Sequence, residues 1–253
     1  MIKEKFSCKR ENLTISGLKW KEKEGKLPAV ILSHGFMANQ SMNKAYARLL
    51  ASMGYAAFTF DFCGGGLGSK SEGKSEEMSV NSEVKDLEAV LEYVKSCPDV
   101  DTNRISLLGC SQGGFVSAIC AVNHPEIENL ILFYPAFCIP DDARAGKMLF
   151  CKFDPANIPD IICRFPMKVG GGYAKEVLDW NYLDKIAGYS GKVILLHGMA
   201  DNIVDIEYSR KAAKIYTDCH YFEIPDGQHM FRGKADEKAK QILQKEMHTQ
   251  KEQ

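Results

Sequence analysis

The chain has 253 residues, 45% apolar, 26% charged and 10% aromatic, a composition that excludes fibrous, collagen-like and disordered classes and fits one large α/β domain or two small ones. Lys and Arg number 32 against 33 Asp and Glu, a formal net charge of -1, so no bulk positive field exists to hold nucleic acid or an anionic membrane surface. Met1 to Arg10 alternates charges with single apolar residues and lacks the apolar core of a secretory signal, so a cytoplasmic location is expected. No run approaches the roughly 18 apolar residues of a membrane-spanning helix. Nine cysteines, an odd count without a CxxC pair or a Cys/His cluster, predict reduced, mostly buried thiols rather than disulfides or a structural zinc.

Met1 to about Trp20 reads as a β-hairpin turning at Lys9 to Asn12, an antiparallel sheet edge. The Lys/Glu alternation of Lys19 to Lys26 reads as a solvated edge turn. Pro28 to Leu32 is short and continuously apolar, the pattern of a buried parallel strand, and it delivers Ser33-His34-Gly35 to a sheet rim. Ala45, Leu49, Leu50 and Met53 recur at helical spacing and stop at Gly54. Tyr55 to Phe60 is the next strand, followed by a flexible turn at Asp61 to Ser69 and a helix whose stripe is Val80, Val84, Leu87, Val90, Leu91 and Val94. Arg104 to Gly109, Leu130 to Phe133, Lys192 to Leu196 and Cys219 to Ile224 are further strands. Helices follow Gly109, lie near Ile206 to Tyr216, and close the chain from Lys234 to Met247. Strand and helix alternate throughout, which specifies an open, mostly parallel sheet with helices on both faces.

One stretch breaks the rhythm. Between Pro135 and about Gly188 the chain carries five prolines and Gly170-Gly171-Gly172 but no sheet-length apolar run. So long a structureless loop is implausible in a compact domain, so residues 136–188 are predicted to be a small inserted lid over the ligand-binding rim of one domain spanning 1–253.

Gly109-Cys110-Ser111-Gln112-Gly113 is a GxSxG set between a buried strand and a helix, the pattern of a nucleophile elbow that throws a serine hydroxyl clear of the backbone. The competing reading is a packing turn with a capping serine. A serine hydroxyl needs a histidine base oriented by a carboxylate. Of six histidines, His124 precedes a proline at a helix end, His220 lies within a strand and His248 in the last helical turns. His34 and His197 end buried strands, where histidines commonly shape loops. His229 lies between the final strand and final helix, where the order Ser…Asp…His puts the base, and Asp201 follows the penultimate strand, where it puts the acid. Asp205 is expected to cap the next helix, and Asp226 is a rival too close to His229 on one turn. The oxyanion donors are the N–H groups of Gln112, at a helix start, and of Phe36, after the first parallel strand. Gly64-Gly65-Gly66 lacks the residues of a phosphate loop.

These residues resemble the α/β-hydrolase esterases, most closely the bacterial cinnamoyl (feruloyl) esterases. The resemblance rests on His34-Gly35-Phe36 with Ala38-Asn39, Asp61-Phe62 with Gly68-Ser69, Ser111-Gln112-Gly113-Gly114, His197-Gly198 with Asp201, and His229. It implies an α/β-hydrolase fold with a short lid, a Ser111, Asp201 and His229 triad, an oxyanion hole at Phe36 and Gln112, and no metal or other cofactor. It also implies that His34 and Gly35 join Asp142 and Tyr173 as substrate-binding residues, the last two against a phenolic ring. Cys110 stands where these esterases commonly have a histidine, and Cys63-Gly64-Gly65-Gly66 replaces a more usual Asn-Gly-His-Gly. Leu149 or Lys147 lies near the position of a glutamine that assists the phenol contact in some members. The expected activity is hydrolysis of hydroxycinnamate esters, with an aliphatic acyl esterase, monoglyceride lipase or thioesterase as the alternative. A peptidase is disfavoured by the lack of a propeller-type gating domain, and a non-catalytic binding protein by the complete triad set. The expected partner is a small-molecule ester, neither nucleic acid nor membrane, with a homodimer left open.

Overall fold

The computed structural model describes residues 1–248, with only the backbone at His248, so the reading of that histidine falls outside the described side chains. In chain order the strands are β1 (Ile2–Arg10), β2 (Leu13–Lys21), β3 (Leu27–Ser33), β4 (Ala56–Phe60), β5 (Val100–Cys110) and β6 (Asn129–Phe133), with helices α1 (Lys44–Ser52), α2 (Val80–Ser96) and α3 (Gln112–Asn123) among them. The stretch after β6 holds α4 (Ile139–Arg144), β7 (Lys147–Met148), β8 (Cys151–Lys152), β9 (Ile161–Cys163), β10 (Val169–Gly170), α5 (Gly171–Val177) and α6 (Tyr182–Ile186). The chain then returns through β11 (Lys192–Gly198), α7 (Glu207–Ala213), β12 (Cys219–Ile224) and α8 (Lys234–His248).

Eight strands form one sheet in the order β1-β2-β4-β3-β5-β6-β11-β12. The β1-β2 hairpin and its junction with β4 are antiparallel, and every pairing from β4 to β12 is parallel. The side-chain alternation of β3 shows why both faces are covered: Ala29 and Ile31 pack into the layer of α2 and α3, while Val30 and Leu32 pack into the layer of α1 and α8. The whole stripe of α2, from Val80 to Val94, is buried, and Ser79 opens that helix with a capping box to Ser82. Gly54 takes a φ of 93°, a left-handed turn that ends the α1 segment.

Residues 136–188 form no strand in the large sheet. They build the short hairpins β7-β8 and β9-β10 and three small helices, and the core under α2 and α3 reaches into them through Tyr173, Val177 and Ile186.

Two expectations need correction. Cys151 and Cys163 are joined in a disulfide, leaving seven cysteines free. An odd count conceals a single pair, and this one bridges the short strands β8 and β9, whose proximity no sequence period reveals. Lys19 and Lys21 are not a solvated turn but buried on β2, 7% and 5% exposed. Both ammonium groups pair with Asp99, Lys21 at 3.0 Å, and a buried cation persists only with such a partner. Among the described residues no helix is long and apolar enough to cross a membrane, and no group of three His, Cys, Asp or Glu side chains could hold a metal ion.

Candidate active site

The carboxyl end of β5 runs directly into α3, and Ser111 occupies the junction with φ 54° and ψ -121°. That strained conformation persists because the surroundings fix it. The Ser111 carbonyl accepts from the Gly114 and Ala136 N–H groups at 2.9 Å, and its own N–H donates to the Phe133 carbonyl at 3.0 Å. A Cβ on Gly109 would lie 2.2 Å from the Gly113 carbonyl oxygen, and one on Gly113 would lie 2.3 Å from that of His34. Only glycine lets strand, helix and the β3 loop close around the serine at those two positions.

The segments that follow β5, β11 and β12 bring the polar groups together. Ser111 Oγ lies 3.0 Å from His229 Nε2, and His229 Nδ1 lies 2.7 Å from Asp201 Oδ2. With Nδ1 donating to a carboxylate, Nε2 is left to accept the serine proton, the tautomer that base catalysis requires. Tyr134 packs edge-on against the imidazole, 4.8 Å between centroids, and fixes the ring from one side. Asp201 Oδ1 accepts from the Ile203 and Val204 N–H groups at 2.9 and 3.0 Å. Burial opposes ionisation of Asp201, but hydrogen bonds from His197, His229 and the Val204 N–H outweigh it and hold the carboxyl well below its usual range. Asp205 takes the neighbouring duty, accepting from the Glu207 N–H at the start of α7.

His197 is a polar partner that sequence reasoning assigned only to loop shaping. It is wholly buried, its Nδ1 lies 2.7 Å from Ser209 Oγ, and its Nε2 faces both Asp201 Oδ2 at 3.2 Å and the Val204 carbonyl at 3.1 Å. The four-residue spacing of His197 and Asp201 across one strand end was the available signal. His34 is likewise inside rather than on the binding surface. Its Nδ1 donates to the Gly35 carbonyl at 2.8 Å and its Nε2 accepts from the Phe62 N–H at 3.2 Å. A fully buried ring with both nitrogens occupied has nothing left for a substrate, so the expected substrate contact is replaced by a tie between two loops. Burial lowers its pKa, consistent with a neutral ring.

Gly35 lies against the serine, and a Cβ there would come within 3.1 Å of Ser111 Cβ. The next residue, Phe36, and Gln112 flank Ser111, and neither N–H has an acceptor among the described residues. Both belong to the wall of a pocket that also includes Ser111. The remaining wall is mainly apolar, with Ile139, Met148, Leu149 and Phe153 from the insertion and Ile203 and Val204 from the Asp201 loop. Its charged pair is Asp142 and Lys147, 2.9 Å apart. Tyr173 also lines the pocket, but its hydroxyl donates to Gln112 Oε1 at 2.6 Å.

The parallel sheet, the elbow after β5 and the pocket beside it define an α/β-hydrolase. Residues 26–168, more than half of the chain, match the Hydrolase_4 family, serine aminopeptidase S33, and the chain belongs to that family. It is similar to Est1E from Butyrivibrio proteoclasticus in the structure with bound ferulic acid, with a TM-score of 0.88 and 27% identity over 96% of this chain and 98% of that one. The mitochondrial palmitoyl-protein thioesterase ABHD10 of Mus musculus is 26% identical over 88% of this chain and 75% of its own length. The α/β-hydrolase domain-containing protein WAV2 of Arabidopsis thaliana is 26% identical over 63% of this chain, which spans half of that protein's length.

Proposed function

We propose that the protein is a serine carboxylesterase that hydrolyses hydroxycinnamate esters through an acyl-enzyme, with residues 136–188 acting as a lid. The observation that carries hydrolysis is the unbroken hydrogen-bonded chain from Ser111 Oγ through His229 to Asp201. In this reading His229 Nε2 takes the Ser111 proton as Oγ attacks the ester carbonyl, and the Phe36 and Gln112 N–H groups receive the developing oxyanion. The tetrahedral intermediate collapses, the carbonyl carbon–oxygen bond to the alcohol breaks, and His229 returns the proton to the leaving alcohol. Water then repeats the attack, with His229 as base, and releases the acid and free Ser111.

Two observations favour an aromatic acyl group with a distal hydroxyl. The pocket wall is apolar along most of its length, which suits a flat ring. Its polar component is an acceptor beside a donor: Asp142 can accept a hydrogen bond from a phenol hydroxyl while Lys147 donates to an adjacent ring oxygen. The likeness to Est1E with its bound ferulic acid points the same way. The pairing of Asp142 with Lys147 also weighs against an aminopeptidase, because the pocket's carboxylate is already neutralised and offers poor anchorage to a substrate ammonium group.

A second reading, hydrolysis of aliphatic acyl esters or thioesters, is favoured by the likeness to ABHD10 and by the exposed Leu149 and Ile203 of the pocket wall. One panel separates the two. Methyl ferulate, methyl butyrate and a palmitoyl thioester are offered to the wild type and to Ser111→Ala, with fluorophosphonate labelling followed by peptide mass spectrometry. The proposal expects turnover of methyl ferulate, a label on the Ser111 peptide, and loss of both in Ser111→Ala. Preference for palmitoyl thioester over methyl ferulate would establish the second reading instead.

A further inference from the structure

Gln112 follows the serine and is 1% exposed, yet its side chain carries a primary amide. Every polar atom of that amide is engaged. Oε1 accepts from the Tyr173 hydroxyl of α5 at 2.6 Å, and Nε2 donates to Glu83 Oε2 of α2 at 2.8 Å. The same nitrogen also lies 3.8 Å from Met78 Sδ, a contact for its second hydrogen. The Tyr173 hydroxyl at one end and the Glu83 carboxyl at the other hold both polar ends of the amide at once.

Glu83 is an unusual anchor. It is wholly buried within the apolar stripe of α2, and its Oε1 has no hydrogen-bond partner. A Cβ on Gly65 would come within 2.7 Å of that oxygen, so the loop after β4 is packed directly against it. The charged groups facing it are acidic, Asp86 on its own helix and Glu176 on α5. The nearby cation Arg10 is committed to Asp86. Burial pushes the Glu83 carboxyl well above the usual range, against the opposing effect of the Gln112 hydrogen bond, and the two acidic neighbours push the same way. A neutral carboxyl that accepts on Oε2 carries its proton on Oε1, and a glutamine there would present the same acceptor to Gln112. Such a buried polar cluster is a poor source of stability, and its product is orientation.

We propose that Glu83 is a positioning residue for the oxyanion hole, acting through the Gln112 side chain, and that Tyr173 ties the same amide to the insertion. The Gln112 N–H lies in the peptide plane shared with Ser111, whose φ of 54° leaves that plane held under strain. Anchoring the Gln112 side chain at both ends keeps the N–H directed at the oxyanion, a requirement sensitive to displacements of a fraction of an ångström. The lid helix α5 and the catalytic helix α3 are thereby coupled through one buried amide.

The proposal rests on the hydrolase reading, and its test uses p-nitrophenyl acetate, whose acyl group is too short to report on the far end of the pocket. Glu83→Ala should lower kcat about 10- to 100-fold with KM within about threefold, short of the roughly 10²- to 10³-fold cost of deleting an oxyanion donor. Glu83→Gln should keep kcat within about threefold, as the conservative rescue. Tyr173→Phe should lower kcat about tenfold, and Glu83→Ala/Tyr173→Phe should be no worse than the poorer single variant. Affinity for an arylboronic acid, which forms a tetrahedral adduct on a serine, should fall in step with kcat. Wild-type kcat in Glu83→Ala or Tyr173→Phe, a defect confined to KM, or equal damage from Glu83→Gln and Glu83→Ala would overturn the proposal. If thermal melting shows that Glu83→Ala is unfolded, Tyr173→Phe and Glu83→Gln decide alone. A wild type that neither turns over nor takes a fluorophosphonate label overturns the hydrolase reading and this proposal together, whereas an active wild type matched by its variants overturns this proposal alone.

Discussion

Replacing Asp201 by asparagine changes one oxygen to an NH2 group, and the surrounding hydrogen bonds dictate which one. The Oδ1 position receives two backbone N–H groups, from Ile203 and Val204, so the amide oxygen must settle there. The NH2 group is then forced to the Oδ2 position, 2.7 Å from His229 Nδ1. Two donors cannot share that contact, so His229 is driven to the tautomer with its proton on Nε2. That proton faces Ser111 Oγ across 3.0 Å, and the imidazole can no longer accept from the nucleophile. The same substitution in a serine protease triad costs about 10⁴-fold in kcat, equivalent to ~5.4 kcal/mol of transition-state stabilisation, and a loss of that order is expected here. The NH2 group also meets the buried Nε2 of His197, 3.2 Å from Oδ2, so a destabilisation of about 1–3 kcal/mol should accompany the loss. Steady-state hydrolysis of p-nitrophenyl acetate measures the first effect and urea unfolding the second. A kcat reduced by less than tenfold in folded protein would refute the assignment of Asp201 as the orienting acid.

Asp142→Ala removes the acceptor from the pocket's polar pair and should raise KM for methyl ferulate about tenfold while leaving methyl butyrate unchanged, since the remaining ammonium group cannot accept a hydrogen bond from a phenol hydroxyl. Equal effects on both esters would count against the aromatic acyl group. Gly35→Ala places a methyl group 3.1 Å from Ser111 Cβ, and the displaced loop should lower kcat about tenfold through the Phe36 N–H. An unchanged kcat would show that the loop yields without cost. Burial opposes ionisation at Glu126, but hydrogen bonds from Lys95, its own backbone and His124 bring its pKa down from 4.5 to about 2. A carboxyl depressed in the folded state stabilises above its unfolded pKa and loses that contribution as pH falls through the folded one. Glu126→Gln should therefore cost up to about 1 kcal/mol at pH 6, and the difference from wild type should shrink as pH falls from 4.5 towards 2 in urea titrations. A difference as large at pH 2 as at pH 6 would exclude this linkage.

The large sheet was legible because its strands carry their own signal. Ala29 to Leu32 is apolar on both faces and belongs to a doubly covered parallel sheet, and Gly109 and Gly113 bracket a serine in a way that only a close strand-to-helix crossing requires. Chain order then directed attention to Asp201 and His229, which the fold brings into one hydrogen-bonded chain with Ser111. What escaped notice depends on partners distant in sequence. Lys19 and Lys21 read as a wet edge because Asp99 lies on a different segment of the chain. Cys151 and Cys163 meet across short hairpins that follow no helical or strand period. His34 looked available because a strand-end histidine can face either the rim or the loop beneath it, and only the fold supplies the Phe62 N–H that claims its free nitrogen. Glu83 was visible in principle, being a carboxylate three residues after Val80 on the buried face of α2, but its meaning required Gln112 and Tyr173 to arrive from elsewhere.

The sheet order also has a kinetic meaning. His229 hangs from the end of β12, which among the described residues is an edge strand paired with β11 alone, while Ser111 follows β5 near the middle of the sheet. Their contact closes a loop of 118 residues, a larger loop-closure entropy than any local contact of the elbow carries. A nascent chain can carry a completed elbow and still lack its base. The proposed site is thus split between the middle of the sheet and its edge, so any local opening of β12 would separate His229 from the hydroxyl while the central strands remain paired.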